Sequence, residues 1–324
     1  MDEVFIFGNT TFSEWKLQNA QVKHLVLSGV ATLDNIQDFM PVFSYKNYER
    51  ICFKNFSVND VVYENGYKCS YEDHLKGYVY CNGEPFSVFE KLYLNYRQYG
   101  LTEYLIENDN IYSLDGRTLI HTKCSESIVI PIGVRQLGIG FCSGYENLLN
   151  VTFCSSLECI GAYAFSSTGL INLQLPNSVR EIGEHAFDYV PLEKICLSNK
   201  LQVIPECCFT CHRIDHIIIP SSVRCIEYDA FRGWFDDQIV IPEGVERIDS
   251  GAFQCLLSIE LPSTLKSLAS DFYYESGIDR PDFPPYVKIS VDNPFFYAQN
   301  GSLFFKENGK CALDALYNGK RHMC

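Results

Sequence analysis

One apolar unit recurs along most of this chain at a nearly fixed interval, and that interval restricts the folds open to it. The pattern apolar-x-x-apolar-x-apolar is met at Leu148, Val151 and Phe153, at Leu170, Leu173 and Leu175, and at Leu192, Ile195 and Leu197. It returns at Ile214, Ile217 and Ile219 and at Leu256, Ile259 and Leu261. Its central position falls at 128, 151, 173, 195, 217, 239 and 259, so the spacing is 23, then 22 four times, then 20. A fixed period of this length is the signature of stacked turns. Alternation within each unit puts apolar and polar side chains on opposite faces of a short strand.

The second half of the unit is equally regular. Pro176, Val179, Ile182, Ala186 and Phe187 reappear as Pro220, Val223, Ile226, Ala230 and Phe231, and again as Pro242, Val245, Ile248, Ala252 and Phe253. Degenerate copies run through Leu157, Ile160, Ala164 and Phe165 and through Leu201, Ile204, Cys208 and Phe209. Proline cannot donate to a strand ladder, so each strand stops there and the chain turns back. A single unit cannot bury its own apolar face, and a continuous core arises only when neighbours stack. The period lies within the 20–29 residues of leucine-rich repeats. The Leu-Pro-x-x-Val-x-x-Ile-Gly-x-x-Ala-Phe unit resembles the BspA-type leucine-rich repeat, most closely over about 125–275.

That resemblance implies an α/β leucine-rich-repeat solenoid of about ten or eleven turns, with a parallel inner sheet and a short helical or irregular outer side. Two segments are expected to form β-hairpins at its flanks. Asp115-Gly116 and Asn300-Gly301 each sit between apolar runs, over 111–120 and 296–305, which is a strong short-range hairpin signal. Three parts follow: divergent N-terminal repeats over 1–110, regular repeats over 111–285, and a capping strand with its hairpin over 286–324. Within the first part, strand-like units read at 22–27, 48–53 and 89–94, without the Ala-Phe half.

Composition removes several classes of function. The formal net charge is −14, and no basic stripe for tracking phosphates is present. No run of 18 apolar residues occurs, so no membrane-inserting helix is expected. The opening residues lack a basic n-region and an apolar h-region. The expectation is a cytoplasmic chain if Met1 is the natural start, and a cell-surface or secreted one if that start is processed. The 15 cysteines are an odd number, and many fall at inward repeat positions, so they read as free thiols packed like small hydrophobes.

Two constellations have the letters of chemistry. Cys208, Cys211 and His212 match a haem-attachment pattern and could offer ligands to zinc. Cys208, however, replaces the Ala before the inward Phe209, which places its sulfur in the core. Cys196 and His216 fall on one outward face of adjacent strands, with Lys194 directly beside His216. Asp215 lies on the wrong face to orient that histidine, and a nucleophilic pair needs such a group. Gly138-Ile-Gly140 carries neither the Rossmann nor the Walker spacing and reads as a shortened repeat turn. No catalytic residue, metal or cofactor is expected.

What remains is the outward face of the strands. One row runs Asn150, Asn172, Lys194, His216, Gln238, Ser258, and the other Thr152, Gln174, Cys196, Ile218, Val240, Glu260, with Tyr93 as an extension. Gln174, Lys194, Cys196, His216, Ile218, Gln238 and Val240 make an apolar strip edged by polar groups, the expected contact surface for a protein partner. The family resemblance implies non-catalytic binding of an adhesion-like kind. A cytoplasmic scaffold or enzyme-associated module is the alternative, and a cysteine hydrolase the third reading.

Overall fold

The computed structural model describes residues 2–7, 11–62, 68–75, 86–210, 213–214, 216–235, 239–254, 258–269, 272–274, 286–300 and 302–313. The repeat unit folds as three short sides around an apolar interior. Strands Asn172–Gln174, Lys194–Cys196 and His216–Ile218 lie parallel, with Leu173, Ile195 and Ile217 directly opposite one another. Strands Ile239–Val240, Ser258–Leu261 and Tyr286–Ile289 continue the pattern as a second parallel set. A tight turn follows, opened by proline at most strands and by Ser198 after Lys194–Cys196: Val179 N–H donates to Pro176 and Val223 N–H to Pro220, at 3.1 and 3.0 Å.

The return side is more regular than the sequence suggested. Instead of helix or coil it carries two-residue strands: Gln136–Leu137, Cys159–Ile160 and Glu181–Ile182, then Val203–Ile204, Cys225–Ile226, Arg247–Ile248 and Ser267–Leu268. Their isoleucines point inward and are buried, so the two-residue strands enlarge the core of the α/β solenoid.

The third side holds the Ala-Phe pairs. Alanines 164, 186, 230 and 252 are buried and let successive turns approach closely. Phe187 N–H donates to Cys208, Phe209 N–H to Ala230 and Phe231 N–H to Ala252, each at 2.9 to 3.0 Å. The rings of Phe165, Phe187, Phe209, Phe231 and Phe253 therefore form one column, with centroids 5.4 to 5.5 Å apart and planes within 14°. The residue before each Ala, or before Cys208 in its place, takes the left-handed conformation: Tyr163, His185, Cys207 and Asp229 have φ between 50 and 57°. Glycine stands there in the turns on either side, Gly140 at 65° and Gly251 at 63°.

The amino-terminal end is built differently. Strands Asp2–Phe7, His24–Ala31 and Arg50–Val58 are parallel. The helices Phe12–Gln18 and Leu33–Phe39 connect them, each opened by a capping box, Thr11 with Glu14 and Thr32 with Asn35. The strand-like unit at 89–94 is corrected: it belongs to the helix Val88–Tyr99. Phe89, Leu92 and Tyr93 are buried at helical spacing, Ser87 and Glu90 form the capping box, and Gly100 ends the helix at φ 67°. Tyr93 accordingly belongs to the core and extends no row of the sheet.

This helix covers the open end of the solenoid. Lys91 Nζ donates to Phe141 O at 3.0 Å, and Asn95 accepts from Ile139 N–H at 3.1 Å. A Cβ on Gly138 would lie 2.9 Å from Asn95 Oδ1, and one on Gly140 2.5 Å from the Phe86 ring, which accounts for both glycines. An antiparallel meander, Glu103–Glu107, Asn110–Ser113 and Thr118–His121, joins the parallel strands to the return side in one sheet. The Asp115-Gly116 hairpin lies within it. At the far end Phe296–Gln299 pairs antiparallel with Ser302–Phe305 as expected. Buried Asn293 fastens this cap, donating to Pro262, Ser263 and Leu265 carbonyls and accepting from Phe295 and Phe296 N–H.

Candidate functional site

The exposed face of the inner strands is set by the 22-residue register. Gln174, Cys196 and Ile218 stand opposite one another on adjacent strands, as do Asn172, Lys194 and His216. Gln174, Lys194 and Cys196 are exposed, and Ile218 is 79% exposed between its inward neighbours Ile217 and Ile219. Val240 is 58% exposed but lies on the following set of strands, opposite Glu260, which in turn faces Lys288. Among the described residues no ladder joins Ile218 to Val240, and Gln238 lies outside those residues. The structure therefore brings Gln174, Cys196 and Ile218 together with Lys194 and the backbone of His216. At the other end of the array Val129 is 72% exposed opposite Thr152, an apolar position that the sequence rows omitted although it has the same register.

A second cluster lies on the third side, in the column of left-handed residues. The Tyr163 ring stacks on His185 at 4.7 Å with planes 7° apart. His185 Nδ1 lies 2.8 Å from Asp188 Oδ2, and the Thr210 hydroxyl donates to the other oxygen of Asp188. Tyr189 N–H donates to Thr210 Oγ1 at 2.8 Å, so the aspartate is itself held in place. A ring nitrogen of His185, the Cys207 sulfur and a carboxylate oxygen of Glu206 all lie within 4.8 Å of one another. Asp229 is buried one turn further on, and its Oδ1 has no hydrogen-bond partner among the described residues.

Cys207, His185 and Asp188 have the order of a nucleophile, a base and an orienting acid. The electrostatics oppose that chemistry. Burial pushes the Cys207 thiol up to about 12, and the carboxylates of Asp229, Asp188 and Glu206 push the same way, with Arg232 offsetting part of it. A thiol held protonated is a poor nucleophile, because the thiolate is the reactive form. Burial also raises Asp229 above the usual carboxylate range. The three ligating groups can instead share a cation.

Of the sequence-marked constellations, Cys208 is fully buried in the core, while Cys211 and His212 lie outside the described residues. Cys196 is exposed opposite Ile218, Lys194 is the residue that faces the backbone of His216, and Asp215 lies outside the described residues. The described cysteines are free thiols. Two of them meet at the joint with the amino-terminal end, where Cys124 and Cys142 sulfurs lie 2.7 Å apart. Lys91, buried nearby, has its ammonium pulled below the usual lysine range by burial.

Parallel turns of about 22 residues, with a short inner strand and a column of stacked phenylalanines, define a leucine-rich-repeat protein. The family model of the BspA type leucine rich repeat region matches residues 117–237 and 235–312, in six copies. The chain belongs to this BspA-type family. Proteins of this repeat class serve protein–protein contact. No curated protein matches the chain significantly.

Similar solved structures include the following three. A leucine rich cell surface protein from Faecalibacterium prausnitzii shares 19% identity, over 47% of this chain and 60% of that one, with a TM-score of 0.22. The pneumococcal vaccine antigen PcpA shares 21%, over 60% and 37%, with a TM-score of 0.26. A leucine-rich repeat protein from Eubacterium ventriosum shares 14%, over 90% and 68%, with a TM-score of 0.37. The chain thus spans less than two thirds of the length of the first two. Among the described residues no helix is long and apolar enough to cross a membrane.

Proposed function

We propose that this protein binds a protein partner without catalysis, through the exposed face of the inner strands. The observation that carries the reading is Ile218, a large aliphatic side chain 79% exposed on the last strand of its row. It is flanked in register by Cys196 and Gln174, with Lys194 and His216 along one edge. On the next set of strands Val240 is a second exposed aliphatic residue, in register with Glu260 and Lys288. An apolar centre with a polar rim is the usual anatomy of an interface. The concave, partner-facing side of stacked repeats is also where such arrays recruit ligands. The adhesion-like role implied by the family is the form this contact takes in an exported chain, and scaffolding is its form inside the cell.

Cys196 offers the test its own handle. A photo-crosslinker attached there, in native lysate and on intact cells, captures the partner and reports which side of the membrane it occupies. Ile218→Glu should then change stability by no more than about 1 kcal/mol, as at other surface sites. Partner binding should fall at least tenfold, which corresponds to about 1.4 kcal/mol. Binding that survives Ile218→Glu, and is abolished only by changes on the return side, defeats the proposal.

A further inference from the structure

The left-handed column holds something that repeat stacking alone does not call for. Gly140 and Gly251 fill this position without strain, yet the turns between them place Tyr163 there and then, on three successive turns, His185, Cys207 and Asp229, at φ 56, 51 and 50°. Side chains rarely adopt this conformation, and when they cluster in it the strain points to a use. The backbone fixes their alignment: His185 N–H donates to Glu206 O and Cys207 N–H to Tyr228 O, both at 3.0 Å. Each of the three residues is therefore one turn above the last, on the same side. Asp229 follows Cys207 in the same row one turn further on, where it is buried and its Oδ1 has no hydrogen-bond partner among the described residues.

We propose that His185, Glu206 and Cys207, whose ligating atoms already lie within 4.8 Å of one another, form a structural zinc site, and that Asp229 turns in from the next turn as the fourth ligand, so that the ion pins three consecutive turns. One nitrogen, one sulfur and two carboxylate oxygens suit a borderline-soft divalent ion, whereas magnesium and calcium take oxygen ligands. Four protein ligands close the coordination shell, the arrangement of a structural site. The partners behind the ligands are already in place. Asp188 holds His185 Nδ1 at 2.8 Å, so the metal takes Nε2, and Thr210 in turn holds Asp188. Carboxylate–histidine pairs of this kind orient the ligands of zinc sites. The ion also answers an oddity beside the cluster, the orphaned Asp229 Oδ1. On binding, the Cys207 sulfur exchanges its proton for the metal and the proton leaves to solvent. Glu206, the exposed member, gives the ion its way in.

The experiment uses the full chain stripped of metal and titrated with zinc alone, then with cobalt as a spectroscopic substitute. One tight equivalent is expected, with a thiolate-to-cobalt charge-transfer band and the visible bands of a tetrahedral ion. Cys207→Ser should abolish the charge-transfer band. Glu206→Gln, at an exposed side chain that leaves folding intact, should weaken binding at least tenfold. Cys208→Ala restores the residue usual at its repeat position and should change neither. Absence of stoichiometric binding overturns the proposal, as does a band that survives Cys207→Ser or is lost instead with Cys211→Ser. Should Cys207→Ser fail to fold, unchanged affinity in Glu206→Gln decides against the site by itself.

Discussion

The repeat array and the amino-terminal end use the same residue, phenylalanine, in opposite ways. In the array Phe209 touches two rings of its own kind, Phe187 and Phe231, both parallel at 5.5 Å. In the amino-terminal end Phe89 is a hub, meeting Phe39, Phe43, Phe53, Phe56 and Tyr93 with interplanar angles from 19 to 83°. The first arrangement is one-dimensional: each turn depends on its neighbours only, and stability accumulates turn by turn. The second is a three-dimensional fit in which every ring constrains several others, as in an ordinary globular core. A solenoid needs such a unit at its end, because the first turn has no predecessor to cover its apolar edge.

Matched truncations break or confirm this contrast most forcefully. Phe209→Ala and Phe89→Ala should each cost about 3–5 kcal/mol, the usual loss for a large buried aromatic. Their reach should differ. Native-state hydrogen exchange should show protection lost around Phe187 to Phe231 in the first variant, with the strands at 24–31 and 50–58 unaffected. In the second, those strands and the helix Val88–Tyr99 should open together while the turns from 194 to 248 stay protected. Equal spreading in both variants would mean that the two regions form a single cooperative core.

The joint between the regions responds to pH. His121 is buried at the end of strand Thr118–His121, edge-on to the Tyr45 ring at 5.2 Å, and its Nδ1 has no hydrogen-bond partner among the described residues. Burial, with Lys91 and Lys46 nearby, lowers it from 6.5 to about 3. The folded chain thus keeps it neutral while the unfolded chain protonates it. Stability from this group is complete above pH 6.5 and is lost as pH falls toward 3, by about 2 kcal/mol at pH 5. Denaturant titrations at pH 7 and 5 should show that difference between wild type and His121→Phe. No difference would place His121 in contact with water.

The smallest effect concerns local signals, which only the amino-terminal end uses heavily. Thr32→Ala removes the cap hydrogen bond to Asn35 N–H and should cost about 1 kcal/mol, read by thermal unfolding. The loss should appear in the exchange of the first three strands alone. Fraying of the array in this variant would show that helix capping at one end supports turns far from it.

The sequence reveals the array because its period acts twice, as alternation inside each strand and as a 22-residue step between strands. Those two numbers place Gln174, Cys196 and Ile218 opposite one another without any knowledge of the fold. The two-residue return strands are too short to show alternation, so the second ladder is not readable from pattern. The segment 89–94 fits the strand template because Phe89, Leu92 and Leu94 satisfy its spacing. Its capping box at Ser87 and Glu90 and its stop at Gly100 argue for the helix that forms. Val240 is in step with Ile218 by count but sits on a separate set of strands, since the period does not report where a ladder breaks. The cluster around Cys207 escapes for another reason. Apolar spacing says nothing about a left-handed turn, and that turn is what sends His185, Cys207 and Asp229 to one side.

The phenylalanine column also makes length an independent variable of this molecule. Its rungs are 5.4 to 5.5 Å apart, and Ile239 and Ile259 remain paired across a turn of 20 residues where others have 22. Residues can thus be gained or lost in the loops without disturbing the rungs. Duplicating the block 177–198 would add one rung, moving the helix-covered end and the Asn293 cap about 5 Å further apart, the strand-to-strand repeat, while leaving each end as it was. Gene duplication in such a chain works as a ruler, changing the span between two fixed ends in steps of one turn.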